Sequence, residues 1–320
     1  MDKIRVGVVG VGALGQHHAR VYAEQPDTTL VGVADVRPGR AGEIAGPLGT
    51  QGFSDFRQML GKVDAVSIAT PTILHAEIGE MFLNEGVHVL VEKPIAHTLA
   101  DADRLISAAQ ANGRVLQVGH LERFNPAVRA VREIVSRPRF FEAHRMGLFT
   151  PRSLDIDVIL DLMIHDLDII SLLVGTPPVH IEAVGIAILT KRIDIANARI
   201  QFAGGCVANV TASRVSMEKI RKLRFFQARE YISLDYTRQD VAIYRLDGTP
   251  AGTPQIVSRK LAPPRQEPLE AELQAFLGAV RGQMPVACTG EEGRKTLDVA
   301  LQILEKAERA QAQALEIDRT

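Results

Sequence analysis

Ile4-Arg5-Val6-Gly7-Val8-Val9 runs directly into Gly10-Val11-Gly12-Ala13-Leu14-Gly15, and the helical stretch Leu14–Glu24 starts inside that loop. A β-branched run, a GxGxxG turn and a helix in immediate succession give the glycines a specific meaning. Gly10 allows the tight turn, Gly12 lets the backbone approach a pyrophosphate, and Gly15 lets the helix pack close to the strand. The helix N-terminus, with Ala13 and Leu14, then turns its N–H groups and dipole toward phosphates. The next strand, Thr29–Ala34, ends at Asp35, 20 positions after Gly15. A carboxylate there accepts hydrogen bonds from an adenosine ribose and repels a 2′-phosphate, which favours NAD over NADP. Arg37 and Arg40 stand close enough in sequence to neutralise such a phosphate, and Arg40 is counted with the cofactor-binding residues. The same glycines also suit a turn in an unrelated α/β domain. FAD fits less well, because nothing later in the chain suggests an isoalloxazine site.

Working outward, strands are expected at Thr50–Phe53, Val63–Ala69, Val87–Val91 and Val115–Val118, with helices at Asp55–Leu60, His75–Asn84 and Leu99–Asn112. Thr98 and Asp101 form an acidic variant of the capping box before the last helix. Strict alternation of strand and helix predicts right-handed crossovers and a doubly wound parallel sheet over residues 1–122. Beyond Arg123 the rhythm changes. A helix at Ala127–Val135 is followed by strands at Phe140–Gly147, Ile181–Leu189, Asn197–Ala203, Cys206–Ser213, Arg221–Ala228, Tyr231–Tyr236 and Val241–Leu246. Gly204-Gly205 marks a hairpin. Helices near Glu267–Arg281 and Glu291–Ala310 close the chain. Residues 123–320 therefore read as an α+β domain with a large open, mainly antiparallel sheet.

The 320 residues suffice for about two domains. Apolar residues make up 46% and charged residues 23%, which excludes a disordered chain and a disulfide-stapled miniprotein. With 37 basic and 38 acidic side chains, the net charge of −1 gives no pull toward nucleic acid or an anionic membrane. No apolar run reaches bilayer-spanning length, and Met1-Asp2-Lys3 leaves no room for a signal peptide before the first strand. Cys206 and Cys288 form no metal or redox pattern, in keeping with a cytoplasmic setting.

Two clusters carry chemistry. Glu92-Lys93-Pro94 closes the fifth strand, at the carboxyl edge where open α/β sheets bind ligands. Lys93 there can hydrogen-bond a substrate oxygen and offset its negative charge, or be an exposed lysine before a turn. In Asp157–Asp168, Asp161 and His165 stand four residues apart, on one face of a helix. A carboxylate in that position orients an imidazole and stabilises its charged form. A helix-start aspartate with a buried core histidine is the plainer reading, and a zinc site lacks a cysteine or second histidine at ligand spacing. His17, His18 and His120 have no partner evident from spacing. Lys219-Ile-Arg-Lys-Leu-Arg224 looks like the solvated face of a strand. The Arg152-Ser153 loop can grip a phosphate or simply be surface.

Taken together, Gly10–Gly15, Asp35, Ala69-Thr70-Pro71 with His75, Glu92-Lys93-Pro94 and Asp161-xxx-His165 resemble the Gfo/Idh/MocA oxidoreductases over essentially the whole chain. The resemblance implies that Lys93 and His165 meet at the nicotinamide, with Asp161 beside them. It also implies that Thr70, Pro71, His75, Glu92 and Arg123 line the cofactor and that the open sheet makes a homodimer or homotetramer, and no metal is expected. A narrower likeness is carried by Val118–Pro126, Glu142–Arg145, Pro151-Arg152-Ser153 and Leu160–Asp166. It points to the branch of the family that oxidises the 3-hydroxyl of UDP-N-acetylglucosamine for the 3-amino sugar of some lipid A molecules, with Arg152 among the substrate-binding residues. An inositol, a free sugar or another sugar nucleotide are the alternative substrates. A non-catalytic NAD-binding sensor or scaffold is the alternative of another class, but it would not need Lys93, Asp161 and His165.

Overall fold

β1 (Ile4–Val9) lies at the centre of a six-stranded parallel sheet in the order β3-β2-β1-β4-β5-β6. The computed structural model describes residues 2–150, 156–248 and 255–317. In this sheet β2 is Thr28–Ala34, β3 Gln51–Phe53, β4 Ala65–Ile68, β5 His88–Glu92 and β6 Leu116–Gly119. The intervening helices are α1 (Gly15–Glu24), α2 (Arg40–Ala45), α3 (His75–Asn84) and α4 (Leu99–Ala111). This is the dinucleotide-binding strand order, with the strand reversal between β1 and β4. The expected helix over Asp55–Leu60 is a 3₁₀ turn, Phe56–Met59, and the sequence pattern does not mark α2: Gly42 inside so short a segment, with Gly39 and Gly46 at its ends, masks the helical period. Thr98 caps α4 as expected, its Oγ1 accepting from the Asp101 N–H at 3.1 Å.

The second sheet has eight strands in the order β14-β13-β12-β11-β7-β10-β9-β8. They are β7 (Phe140–Met146), β8 (Pro178–Ile186), β9 (Ile195–Phe202), β10 (Val207–Ser213), β11 (Ile220–Gln227), β12 (Glu230–Asp235), β13 (Asp240–Asp247) and β14 (Gln255–Leu261). All neighbours pair antiparallel except β7 and β10, which run parallel. One face is lined by Phe141, Ala143, Ala208, Val210, Leu223 and Phe225. It packs with α5 (Pro126–Arg132), α6 (Ile164–Val174) and the later turns of α8 (Gly290–Ile317) in one apolar core. The sequence pattern does not mark β14, which is exposed on both faces along nearly its whole length and carries no burial alternation.

The described residues divide into two compact units. The first holds residues 1–121 and 267–295, and the second holds 122–266 and 296–320. The change of periodicity near residue 122 groups all of 123–320 together. The chain instead returns α7 (Pro268–Val280) to the first unit, where Leu269, Leu273, Phe276 and Leu277 share a buried core with Val6, Val8, Tyr22 and Leu90. Tyr22 is fully buried and its hydroxyl bonds Ser67 Oγ at 2.8 Å. Among the described residues, no helix is long and apolar enough to cross a membrane.

Phe276 is wholly buried in that core. Phe276→Ala is expected to remove about 3–5 kcal/mol of stability, read as a lower denaturant midpoint in urea unfolding. An unchanged midpoint would show that α7 contributes nothing to the first unit.

Candidate functional site

In the first unit, the loop after β1 behaves as its glycines require. Gly10 has φ +84°, and a Cβ there would lie 2.8 Å from the Ala69 carbonyl oxygen. A Cβ on Gly15 would fall 1.8 Å from the Gly10 oxygen, so only glycine lets α1 approach the turn. At Gly12 an added Cβ would meet nothing closer than Arg37 Nη2 at 3.9 Å, which leaves this backbone accessible. Gly10 and Gly12 open on a cavity of about 600 Å³ that also takes in Asp35, Arg37, Thr70 and Pro71. The size and the mostly backbone-and-apolar wall suit a dinucleotide.

Asp35 ends β2 with its carboxylate already ordered. Its Oδ2 accepts from the Val11 N–H at 3.1 Å, and Arg37 donates through Nε and Nη2, each at 2.9 Å. Burial alone would raise the carboxyl's pKa, but the Arg37 contacts outweigh it and hold the group below its ordinary value. Arg40 is spent on the loop itself, donating to the Val11 carbonyl oxygen at 2.9 Å and to Gln16 Oε1 at 2.9 Å.

His75 opens α3 and is buried, with Nδ1 2.9 Å from the Pro94 carbonyl oxygen and Nε2 2.9 Å from that of Thr70. It therefore ties the segment after β4 to the segment after β5. The Lys93–Pro94 peptide is cis. Glu92 is buried beside it, with Oε1 3.1 Å from His18 Nε2, and a Cβ on Gly119 would strike that carboxylate at 2.8 Å. His18 and Gly119 thus make a pocket for Glu92, so His18 has a partner that spacing could not reveal. Lys93 follows at the carboxyl end of the sheet, its N–H 3.3 Å from Glu92 Oε2.

In the second unit, Asp161 lies in a π-helical turn, Ile159–Met163, that leads into α6, while His165 lies in the first turn of α6 proper. The expected uninterrupted α-helix is thus widened at its start, a distortion frequent at functional sites. The acidic neighbours sort by partner. Asp157 Oδ1 accepts from the Ile193 N–H at 2.8 Å. Asp166 takes Arg145 Nε at 2.6 Å and Nη2 at 3.2 Å, and Asp168 takes Arg123 Nε at 2.8 Å and Nη2 at 2.7 Å. Arg123, expected along the cofactor, thus has a buried structural partner. Arg145 also reaches Glu122 Oε1 at 3.0 Å and lies 4.8 Å from the Tyr236 ring centre. Burial opposes its charge, yet Asp166 and Glu122 overcome this and raise its pKa. Arg145 was not singled out as a site residue, because a basic residue in an alternating strand carries no mark of burial. Arg152 lies outside the described residues.

Residues 4–120 match the model described as "Oxidoreductase family, NAD-binding Rossmann fold", and residues 127–227 match the Gfo/Idh/MocA C-terminal domain. UDP-N-acetylglucosamine 3-dehydrogenase of Acidithiobacillus ferrooxidans is 43% identical over 305 residues, 95% of this chain and 97% of that protein. Inositol 2-dehydrogenase of Rhizobium meliloti is 31% identical over 230 residues, 66% of this chain and 69% of that one. Among solved structures, a crystal form of the A. ferrooxidans enzyme has a TM-score of 0.91 at 40% identity, covering 97% of this chain and 99% of that one. Levoglucosan dehydrogenase in complex with NADH and levoglucosan has a TM-score of 0.86 at 21% identity, covering 97% of this chain and 98% of that one, a likeness of fold.

Burial pushes the His75 pKa below its ordinary value, only partly offset by its two carbonyl partners. The unfolded chain therefore holds this proton more readily, so the contribution of His75 is full above about pH 6.5 and shrinks as pH falls toward the folded value. Urea unfolding should show the stability gap between the wild type and His75→Asn narrowing from pH 8 to pH 5.5. A gap that widens on acidification would contradict this.

Proposed function

Since this chain belongs to the Gfo/Idh/MocA family of oxidoreductases, we propose that it oxidises the 3-hydroxyl of UDP-N-acetylglucosamine to the 3-keto sugar nucleotide with NAD⁺. The observation that carries the reading is the 43% identity to a UDP-N-acetylglucosamine 3-dehydrogenase along 95% of this chain. Bound nicotinamide supplies the acceptor for the hydride leaving C3. His165 takes the hydroxyl proton, and Asp161, four residues earlier, stabilises the imidazolium that results. Lys93 is proposed to hydrogen-bond a substrate oxygen and offset negative charge that develops on it. Gly10 through Gly15 seat the pyrophosphate, with Thr70 and Pro71 along the remainder of the cofactor. The ketone produced is the group that a transaminase can convert to an amine, which supports a place in lipid A 3-amino sugar synthesis.

NAD is proposed over NADP because Asp35 stands where the ribose hydroxyls bind and Arg37, already held by Asp35, is withdrawn from a 2′-phosphate. A homo-oligomer is proposed through the face of the eight-stranded sheet opposite its helices. Phe140, Phe226, Tyr231 and Tyr244 form a continuous aromatic row there, with ring centres 6.0, 4.9 and 5.6 Å apart. Phe226 and Tyr244 are each 41% exposed, which favours a covering partner.

NADH formation against UDP-N-acetylglucosamine, free N-acetylglucosamine and myo-inositol tests the substrate. Reduction with inositol alone would favour the reading suggested by the R. meliloti relative. His165→Ala should keep NAD affinity while kcat drops about 10²–10⁴-fold; unchanged turnover would remove His165 as the base. Asp35→Ala should weaken NAD about 10–100-fold and release Arg37, so that preference against NADP relaxes. Unaltered selectivity in paired cofactor titrations would count against the ribose role.

A further inference from the structure

On the helix-covered face of the eight-stranded sheet, two arginines stand directly opposite each other: Arg145 of β7 and Arg221 of β11 are register partners. Partners in an antiparallel pair share a face, with Cβ atoms about 5 Å apart. Arg221 also shares its side of β11 with Leu223 and Phe225, both fully buried. The alternation of Lys219–Arg224 predicts a solvated face for its basic residues, and for Arg221 the register corrects this. Lys222 and Arg224 do point to the other side, opposite His144 and Glu142.

The two guanidinium groups are treated unequally. Arg145 is matched by Asp166 and Glu122 and rests on the Tyr236 ring. Among the described residues, Arg221 makes no side-chain hydrogen bond and no ion pair, although it is half-buried. Desolvation and then Arg145 push its pKa down. Glu122, Asp166 and Asp161 act on it only through space, and the first two already serve Arg145. A desolvated cation beside a second cation is costly unless an anion completes it. Arg221 lies within the electrostatic reach of Asp161, in the turn that leads to His165.

We infer that Arg221 is a substrate-binding residue that receives a phosphate oxygen of a nucleoside-diphosphate sugar, an inference that rests on the sugar-nucleotide reading above. The hydroxyls of a free sugar or an inositol are neutral and would give this guanidinium no charge-assisted partner. A diphosphate is anionic and matches the planar guanidinium fork.

Isothermal titration of the full chain loaded with NADH, using UDP as the probe, tests this with Arg221→Met and Arg221→Lys. The methionine variant should lose about 10–100-fold in UDP affinity. The lysine variant, which keeps charge but not the fork, should lose less, and NADH affinity should hold in both. If the methionine variant does not fold, a measurable loss of UDP affinity in a lysine variant with wild-type melting carries the inference, and no loss overturns it. A wild type that does not bind UDP, or a folded methionine variant binding it as tightly as the wild type, also overturns it. Wild-type turnover of UDP-N-acetylglucosamine is judged separately. Arg221-dependent UDP binding in an enzyme that oxidises only some other nucleotide sugar would defeat the substrate reading and support this one.

Discussion

Two buried ion pairs fix the helix on which the proposed chemistry rests. Asp166 and Asp168 leave α6 two residues apart and are met by arginines from separate segments, Arg145 of β7 and Arg123 of the turn before α5. Both carboxylates are essentially without solvent exposure. Removing either arginine would strand a charge in a poorly polarisable interior, at a cost of about 3–5 kcal/mol. The helix therefore has one rotation at which both charges are met, and that rotation sets the direction in which His165 leaves it. The apolar residues of the helix, Ile164, Leu167 and Ile170, pack the core but could tolerate small rotations that the bidentate pairs do not.

The first unit solves a different problem, that of holding backbone in place at the carboxyl edge of a parallel sheet. Three strand ends are tied without any ligand. Asp35 accepts from Val11 in the glycine turn, His75 spans from Thr70 to Pro94, and Glu92 is enclosed by His18 and Gly119. Each tie joins a strand end to a neighbouring segment rather than to its own hairpin, because parallel strands have none. The edge that faces a bound dinucleotide is in this way organised by side chains before binding, which lowers the entropy lost when a flexible cofactor is seated.

What could be read from the chain follows from how local each constraint is. The glycine turn and Asp35 were legible because a tight turn and a close helix crossing leave no residue but glycine at Gly10 and Gly15. The order of strand and helix was legible from hydrophobic period. The partner of His18 was not, since 74 residues separate it from Glu92 and neither position marks the other. The return of α7 to the first unit was equally hidden, because Leu273 and Phe276 announce an apolar face without saying what it packs against. Arg221 shows the same limit in a strand. Alternation states that two sets of residues point apart, and only register shows which set is covered.

That limit bears on the chemistry assigned to His165. Four acidic residues crowd Asp157–Asp168, and a sequence offers no means of choosing among them. In the fold they sort by donor: a backbone N–H and the more distant Arg192 for Asp157, and bidentate arginines for Asp166 and Asp168. A carboxylate neutralised by a guanidinium has little field left to stabilise an imidazolium, which argues against Asp166 and Asp168 in the role proposed for Asp161. The arginines that stabilise the fold also keep the other carboxylates from competing for the proton that His165 is proposed to carry.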